Sequence, residues 1–374
     1  EQLGEEKGHP DQGVLSAAAV LINNAKRPVL LVGGGAIHSA AEKEVREFAE
    51  KTGMPVVSTL MGLGVFPGSH HQALGLTGMH GHIASNMAVA EADILIVVGS
   101  RFSERVTGDR NKYVEKKTII HLDIDPSEVD KNVETALSLV GDLKDTLAIL
   151  TSLTERLTLK GWWNSIKAWE ITEDKSLQNG DKLTGPWVMT HLNKVFKNRD
   201  MVYVTDVGQN QMWAAQNLLV EQARQHITSG GCGTMGYGLP AAIGVQLAKP
   251  KTRVIHIAGD GGFKMTGMEL YTAVHEKLPL ISIVLNNSCL GMVRQWQEIF
   301  YEKRYSSTLL PEFNFVACAE ACGAQGMKVT TCEEFAKALA LAEKSEQPFV
   351  IEAIIEQKDL VIPMVVPGAL ITDF

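Results

Sequence analysis

The sequence predicts an α/β protein made of two doubly wound domains, each a mainly parallel sheet flanked by helices. Two observations carry that expectation. Short apolar runs alternate with helix-like segments in two series, one over residues 11–141 and one from 186 onward; strands buried on both faces of a parallel sheet read as such continuous apolar runs. Between the series, residues 151–185 turn irregular and polar. Length agrees, since 374 residues exceed the roughly 150 typical of one domain. The expected layout is a domain over residues 1–150, a linker over 151–185 and a domain over 186–374.

The first series runs from a helix near Val14–Asn24 to the strand Pro28–Val32 and a glycine-rich turn, Val32-Gly33-Gly34-Gly35-Ala36. A helix over Ala40–Thr52, a strand at Pro55–Ser58, a helix near Ala84–Glu91 and strands Ile94–Val98 and Thr118–Ile124 follow. Asp125-Pro126-Ser127-Glu128 then sets an acid at an N-cap, proline at the first helical position and glutamate at the third, which predicts a helix start. Gly161-Trp162-Trp163 and Gln178-Asn179-Gly180-Asp181 mark the connecting stretch. The second series reads as helix Pro186–Phe196, strand Met201–Thr205, helices Gln211–Leu218 and Gly238–Leu247, strand Arg253–Ala258, helix Met268–His275, and strands Leu280–Leu285 and Phe349–Ile355.

Composition narrows the function classes. A hydrophobic share of 45% and a charged share of 21% are those of a soluble globular protein, and no apolar run approaches the roughly 20 residues that span a bilayer. The net charge of −8 is spread along the chain, which disfavours nucleic acid and leaves small molecules as the expected ligands. Five cysteines, an odd number and all beyond residue 231, read as reduced thiols in a cytoplasmic or organellar compartment. Cys318 and Cys322 sit four apart in an apolar stretch and read as core rather than zinc ligands. The chain opens with Glu1-Gln2-Leu3-Gly4 rather than Met, as a processed chain, or one lacking something upstream, would.

The most informative segment runs from Arg253 to Asn287. One apolar strand ends in Gly259-Asp260-Gly261-Gly262, a helix follows, and a second apolar strand ends in Asn286-Asn287. In a parallel sheet both ends meet one rim, where ligands of open α/β folds bind. The carboxylate of Asp260, the amide oxygen of Asn287 and a backbone carbonyl such as that of Cys289 would make a three-oxygen set suited to Mg²⁺ or Ca²⁺. Such an ion completes its shell with phosphate oxygens and water, so a diphosphate ligand is expected, with Gly261 and Gly262 allowing close backbone approach.

This pattern, Gly-Asp-Gly and then Asn-Asn some thirty residues on, resembles the thiamine diphosphate motif. Gly233-Thr-Met-Gly-Tyr-Gly-Leu-Pro240, Gly291-Met-Val-Arg-Gln-Trp296 and Pro363-Met-Val-Val-Pro-Gly368 resemble acetohydroxyacid synthase, also called acetolactate synthase. In the first half, Gly62-Leu-Gly64, Gly78-Met79-His80-Gly81, Arg101-Phe-Ser-Glu-Arg105 and the stretch His121–Glu128 resemble that family's central domain, which binds FAD in the anabolic enzymes. The resemblance covers two of the family's three domains. The amino-terminal pyrimidine-binding domain, home of the glutamate that activates the cofactor, has no counterpart in this sequence.

The resemblance implies thiamine diphosphate, Mg²⁺ and FAD as cofactors, and roles for particular residues. Gly208, Gln209 and Asn210 would cradle the diphosphate, with Gly259, Asp260, Gly261, Gly262, Asn287, Cys289, Gly291 and Met292 around the metal and phosphates. Met235 would prop the two cofactor rings into a bent shape, and the Gly233 carbonyl would accept a hydrogen bond from the pyrimidine's exocyclic nitrogen. Trp296, with Met292 and Val293, would wall the acceptor pocket, and Arg105 would bind a substrate carboxylate. FAD would contact Gly78, Met79, His80, Gly81, Arg101, Asp123, Ile124 and Asp142. The glycine turn after Val32 fits a dinucleotide fingerprint poorly, because His38 stands where the third glycine belongs. His70, His71, His80 and His82 do not read as a metal site.

The implied reaction condenses pyruvate with a second 2-oxo acid, pyruvate or 2-oxobutyrate, losing CO₂ to give acetolactate or acetohydroxybutyrate in branched-chain amino acid biosynthesis. The implied partners are a second copy of the chain, as a homodimer or homotetramer, a regulatory subunit, and a chain supplying the missing domain. Two other readings stay open. One is a different thiamine enzyme, a pyruvate oxidase or 2-oxo acid decarboxylase; the other is a non-catalytic, cofactor-holding module that needs a partner chain.

Overall fold

A computed structural model describes Gly8 and residues 10–176 and 182–374. The opening Glu1-Gln2-Leu3-Gly4 and the segment Gln178-Asn179-Gly180-Asp181 lie outside the described residues. The chain divides into two compact units. The first holds the described residues up to 176 together with Leu219–Ala223 and Ile362–Phe374, and the second holds those from 182 to Leu218 and Arg224–Val361.

In the first unit six strands form one sheet: β1 (Pro28–Val32), β2 (Val56–Ser58), β3 (Ala73–Leu76), β4 (Ile94–Val98), β5 (Thr118–Asp123) and β6 (Leu137–Val140). Their order is β3-β2-β1-β4-β5-β6 and every pairing is parallel. All residues of β1 and β4 are buried, as a sheet covered on both faces requires. The covering helices follow from spacing. Helix Gln12–Asn24 buries Leu15, Ala18, Ala19 and Ile22, and the Asp11 carboxylate caps it by accepting from the N–H groups of Gly13 and Val14.

Three expectations for this half are corrected. The stretch expected as an irregular connection contains a 17-residue helix, Lys160–Ser176. Its Trp162, Ile166 and Trp169 recur at helical spacing, Trp162 and Ile166 are buried, and the indole N–H groups of Trp162 and Trp163 donate to the carbonyls of Pro28 and Gly53. The helix start read at Asp125 yields only one 3₁₀ turn, Pro126–Glu128. Asp125 does accept from the Ser127 N–H, but Val129 is extended and Asp130 turns to φ +55°, accepting from Thr135. After Val32, the glycine turn opens into a short helix, Gly34–His38. A Cβ on Gly33 would overlap the Gly99 carbonyl and one on Gly35 would stand 2.7 Å from the Gly99 Cα, so these glycines serve backbone packing.

The second unit repeats the architecture with β7 (Met201–Thr205), β8 (His226–Thr228), β9 (Arg253–Gly259), β10 (Ile281–Asn286), β11 (Gln325–Val329) and β12 (Phe349–Ile354). Their order is β11-β12-β10-β9-β7-β8, again all parallel. The chain leaves β7 toward one edge and later builds outward from β9 toward the other. The winding therefore reverses between β7 and β9, the topological switch point at whose carboxyl rim such sheets open a crevice. No helix among the described residues is long and apolar enough to cross a membrane.

Candidate functional site

Three central strands deliver the site. Gly259 of β9 pairs with Leu285 of β10, and Thr205 of β7 pairs with Ile257 of β9. Asp206, Asp260 and Asn287 consequently emerge within three residues of one another along a single rim, on strands spaced by about 4.8 Å. A cavity opens there, lined by Val207–Asn210, Trp213, Met235, Gly259–Gly262, Leu285, Asn287 and Cys289–Val293. Of the predicted cofactor residues of this unit, Gly208, Gln209, Asn210, Met235, Gly259, Asp260, Gly261, Gly262, Asn287, Cys289, Gly291 and Met292 all meet in this lining.

Asp260 is 2% exposed, and its Oδ2 has no protein partner. Burial pushes its carboxyl up to about 6, against the N–H groups of Gly261 and Ser288, which favour the charged form. Asn287 donates from Nδ2 to the Gln209 Oε1 at 3.0 Å, which turns its Oδ1 to the opposite side. Cys289 faces Leu309 across an isolated antiparallel bridge. The ladder bonds there belong to its neighbours, Leu310 N–H to Ser288 and Leu290 N–H to the Thr308 carbonyl, so the Cys289 carbonyl is turned away from that ladder. Burial, then the charge of Asp260, raises the Cys289 thiol to about 11, which makes its sulfur a poor ligand at neutral pH.

Besides the short helix Asp260–Thr266, which starts with Asp260 itself, two longer helices begin at the cavity. Gly208, at φ +112°, is the N-cap of Gln209–Asn217, and Leu290 is the N-cap of Gly291–Phe300. The first-turn N–H groups of both have no intrahelical acceptor and carry the positive end of the helix dipole, an arrangement suited to an anion. A Cβ on Gly291 would overlap the Gln209 Oε1 and stand 2.7 Å from the Asn287 Nδ2, so only glycine fits against that amide pair. A buried carboxylate with a free oxygen between two such helix starts can hold a cation against a phosphorylated ligand, and the residues present fit a metal-bridged diphosphate.

Other predicted residues lie elsewhere. Gly233 is exposed at φ +61° and Trp296 packs its ring on Phe300, with centroids 5.0 Å apart; neither lines the cavity. Arg105 and the predicted FAD residues belong to the first unit. There, Asn86 organises the loop Gly78–Gly81: it accepts from the Gly78 N–H and the Thr77 hydroxyl and donates to the carbonyls of Gly78 and Ile371. Met79 donates its N–H to the Arg105 carbonyl, and the Arg105 Nη1 lies 3.3 Å from the Met79 sulfur. Burial, then Arg105, lowers His80 to about 4. Arg101 is exposed, as is Ile124 at 58%. Asp123 ends β5 with its Oδ2 3.6 Å from the His121 Nε2. The Asp142 carboxylate caps helix Leu143–Leu153 through the Lys144 N–H. Among the described residues no group of three or more His, Cys, Asp or Glu could hold a metal ion, and this covers His70, His71, His80 and His82.

Sequence reasoning missed two features. Asp206, 1% exposed, accepts from the N–H groups of Val207, Gly236 and Gly238; the available signal was an acid at a strand end, as at Asp260. The side chain of Gln209 also donates to the Gln295 Oε1 and the Asp359 carbonyl, while Gln295 pairs through both amide atoms with the backbone of Val361.

Both halves of the chain match known families. The chain belongs to the thiamine pyrophosphate enzymes: residues 15–150 match their central domain and residues 206–353 their C-terminal TPP binding domain. Within that family it is a homologue of acetolactate synthases. It is 41% identical over 374 residues to the acetolactate synthase of Mycobacterium leprae, covering 96% of this chain and 60% of the relative. It is 41% identical to a probable acetolactate synthase large subunit of Methanocaldococcus jannaschii, covering 98% and 63%. To the acetolactate synthase isozyme 2 large subunit of Escherichia coli it is 40% identical, covering 94% and 64%. The chain thus spans less than two thirds of the length of these relatives.

Proposed function

We propose that this chain binds thiamine diphosphate through Mg²⁺ and takes part in condensing pyruvate with a second 2-oxo acid, pyruvate or 2-oxobutyrate, to give acetolactate or acetohydroxybutyrate. The observation that carries this reading is the buried, partnerless Oδ2 of Asp260 at a cavity flanked by two helix N-termini. Asp260, the Asn287 Oδ1 and the Cys289 carbonyl would hold the metal. The N–H groups at the starts of Gln209–Asn217 and Gly291–Phe300 would hold the diphosphate. When bound, thiamine diphosphate supplies the electron sink that lets a 2-oxo acid lose CO₂.

The chain's own residues would do the rest. Met235 stands over the start of the helix Asp260–Thr266, its Cε 3.4 Å from the site of a Cβ on Gly261, and would confine the cofactor's rings. Met292 and Val293 line the cavity beside the metal residues and, with Trp296, would wall the acceptor pocket. Arg105 would bind the substrate carboxylate. The loop Gly78–Gly81 with Arg101, Asp123, Ile124 and Asp142 would hold FAD. Gly233, the activating acid and a second copy of the chain complete this reading, as does a small subunit, in keeping with relatives named large subunits.

The test has two parts. Titration calorimetry with thiamine diphosphate should detect binding that requires Mg²⁺ and is lost in Asp260→Ala; tight binding by that variant would refute the metal assignment. Incubation with pyruvate, thiamine diphosphate, Mg²⁺ and FAD should yield acetolactate, read as acetoin after acid treatment, once an amino-terminal domain from a relative is added; activity only on that addition would favour a cofactor-holding module. Acetaldehyde as sole product would mark a decarboxylase instead.

A further inference from the structure

Asp206 does not line the cavity, yet its carboxylate organises two of the segments that do. It follows directly on β7, the strand on one side of the switch point, and is buried to 1% exposure. Oδ1 accepts from the N–H of Val207 at 2.7 Å and of Gly236 at 3.1 Å; Oδ2 accepts from Gly236 and Gly238, each at 3.0 Å. The two glycine amides follow Met235 closely and fix the turn that carries it. From the opposite side, the Thr266 hydroxyl donates to the Gly236 carbonyl at 2.9 Å, so both polar groups of Gly236 are tied. Glycine is required at 236, where φ is +85°, and at 238, where a Cβ would stand 2.5 Å from the His256 Nε2. A Cβ on Gly262 would overlap the Asp206 Oδ1, so the same carboxylate abuts the first turn of the helix Asp260–Thr266, which carries the proposed metal ligand.

A carboxylate that accepts three backbone N–H groups while buried is a strong and directional tether. We propose that Asp206 is a positioning residue: it sets Met235 over the first turn of the helix Asp260–Thr266 and so fixes how the chain grips the organic half of a metal-bound diphosphate, leaving its grip on metal and phosphate unchanged. This rests on the thiamine diphosphate reading above. The division of labour follows from the contacts. Phosphate and metal would be met by helix N–H groups and by Asp260, to which Asp206 makes no hydrogen bond; its one bond toward the phosphate side, from the Val207 N–H to Oδ1, is one that the Oδ1 of an asparagine still accepts, whereas the placement of Met235 depends on the two glycine amides that need both carboxylate oxygens.

Calorimetric titration of the full chain, with saturating Mg²⁺, compares thiamine diphosphate with inorganic pyrophosphate as ligands. Asp206→Asn sets an amide N–H against backbone N–H groups and should weaken thiamine diphosphate by roughly tenfold to a hundredfold, while pyrophosphate changes by less than about threefold. Met235→Ala should show the same selective loss, and the double variant should be no worse than the weaker-binding single one. Should Asp206→Asn fail to fold, Thr266→Val, which loosens the same turn from the other side, should give a smaller loss of the same selectivity. Equal losses for both ligands, no loss, or additive losses in the double variant would each overturn the proposal. If the unaltered chain binds neither ligand, it is the underlying cofactor reading that fails.

Discussion

Asn287 and Gln209 are joined by a 3.0 Å hydrogen bond from amide to amide, and that bond decides which face of Asn287 is offered to a ligand. Gln209 is held in turn, donating to Gln295 and to the Asp359 carbonyl. The proposed metal ligand is thus oriented by a side chain whose own position is set by two further segments, the outer-shell support on which metal affinity commonly depends.

Gln209→Ala should therefore lower Mg²⁺ affinity by roughly tenfold to a hundredfold without unfolding the protein, as read by calorimetry in the presence of pyrophosphate. Gly291→Ala attacks the same pair sterically and should reproduce the loss. Unchanged affinity in both would show that the amide pair has no influence on the metal.

The carboxyl of Asp260, pushed up to about 6 by burial, predicts two opposite pH trends. A metal needs the ionised form, so Mg²⁺ affinity should fall about tenfold per pH unit below 6 and level off above it. For the metal-free protein the sign reverses. The unfolded carboxyl ionises near 4 and the folded one near 6, so in that window the folded state holds the extra proton and stability declines as pH rises. The loss, of order 2–3 kcal/mol, is complete above pH 6. Asp260→Asn should then raise the thermal midpoint in chelator at pH 7 but not at pH 4. A variant that melts no higher at pH 7 would contradict the raised value.

Trp296 packs on Phe300 outside the cavity lining. Trp296→Leu should leave thiamine diphosphate affinity within about twofold, yet shift the ratio of acetohydroxybutyrate to acetolactate by roughly tenfold, the scale a reshaped apolar pocket allows. Competition between 2-oxobutyrate and pyruvate measures it, and a large loss of cofactor affinity would assign the indole a structural role.

Asn86 joins the loop Gly78–Gly81 to Ile371 through four hydrogen bonds. Asn86→Ala leaves buried polar groups without partners and should cost about 2–4 kcal/mol in denaturant unfolding. Flavin affinity, measured by fluorescence quenching, should drop in parallel; retained affinity would separate that loop from the flavin.

Much of this was legible in the chain because deep burial leaves a simple trace. The runs Pro28–Val32, Ile94–Val98 and Met201–Thr205 coincide with β1, β4 and β7 to the residue. The edge and short strands β3, β6, β8 and β11 were not legible: Gln325–Val329 has a single fully buried residue, and Ala73–Leu76 alternates, so packing on one face leaves too few apolar positions to read. Asp260 stood out because it sits among glycines at the end of an apolar strand, and Asn287 because it doubles an asparagine at the end of the next. Asp206 did not, since it serves backbone N–H groups supplied by residues thirty positions away, and no local pattern announces such a partner. The helix Lys160–Ser176 hid behind its charges, with only the tryptophan spacing to betray it.

Ile371 accepts from Asn86, Ala369 accepts from the Asp109 N–H, and Val365 donates to Met79. The first unit is therefore finished by residues that leave the ribosome only after the whole second sheet has been made. A fragment cut after residue 176 would take from the Asn86 amide one of its two acceptors, and during synthesis the loop Gly78–Gly81 must wait, incompletely braced, for the chain to return to it.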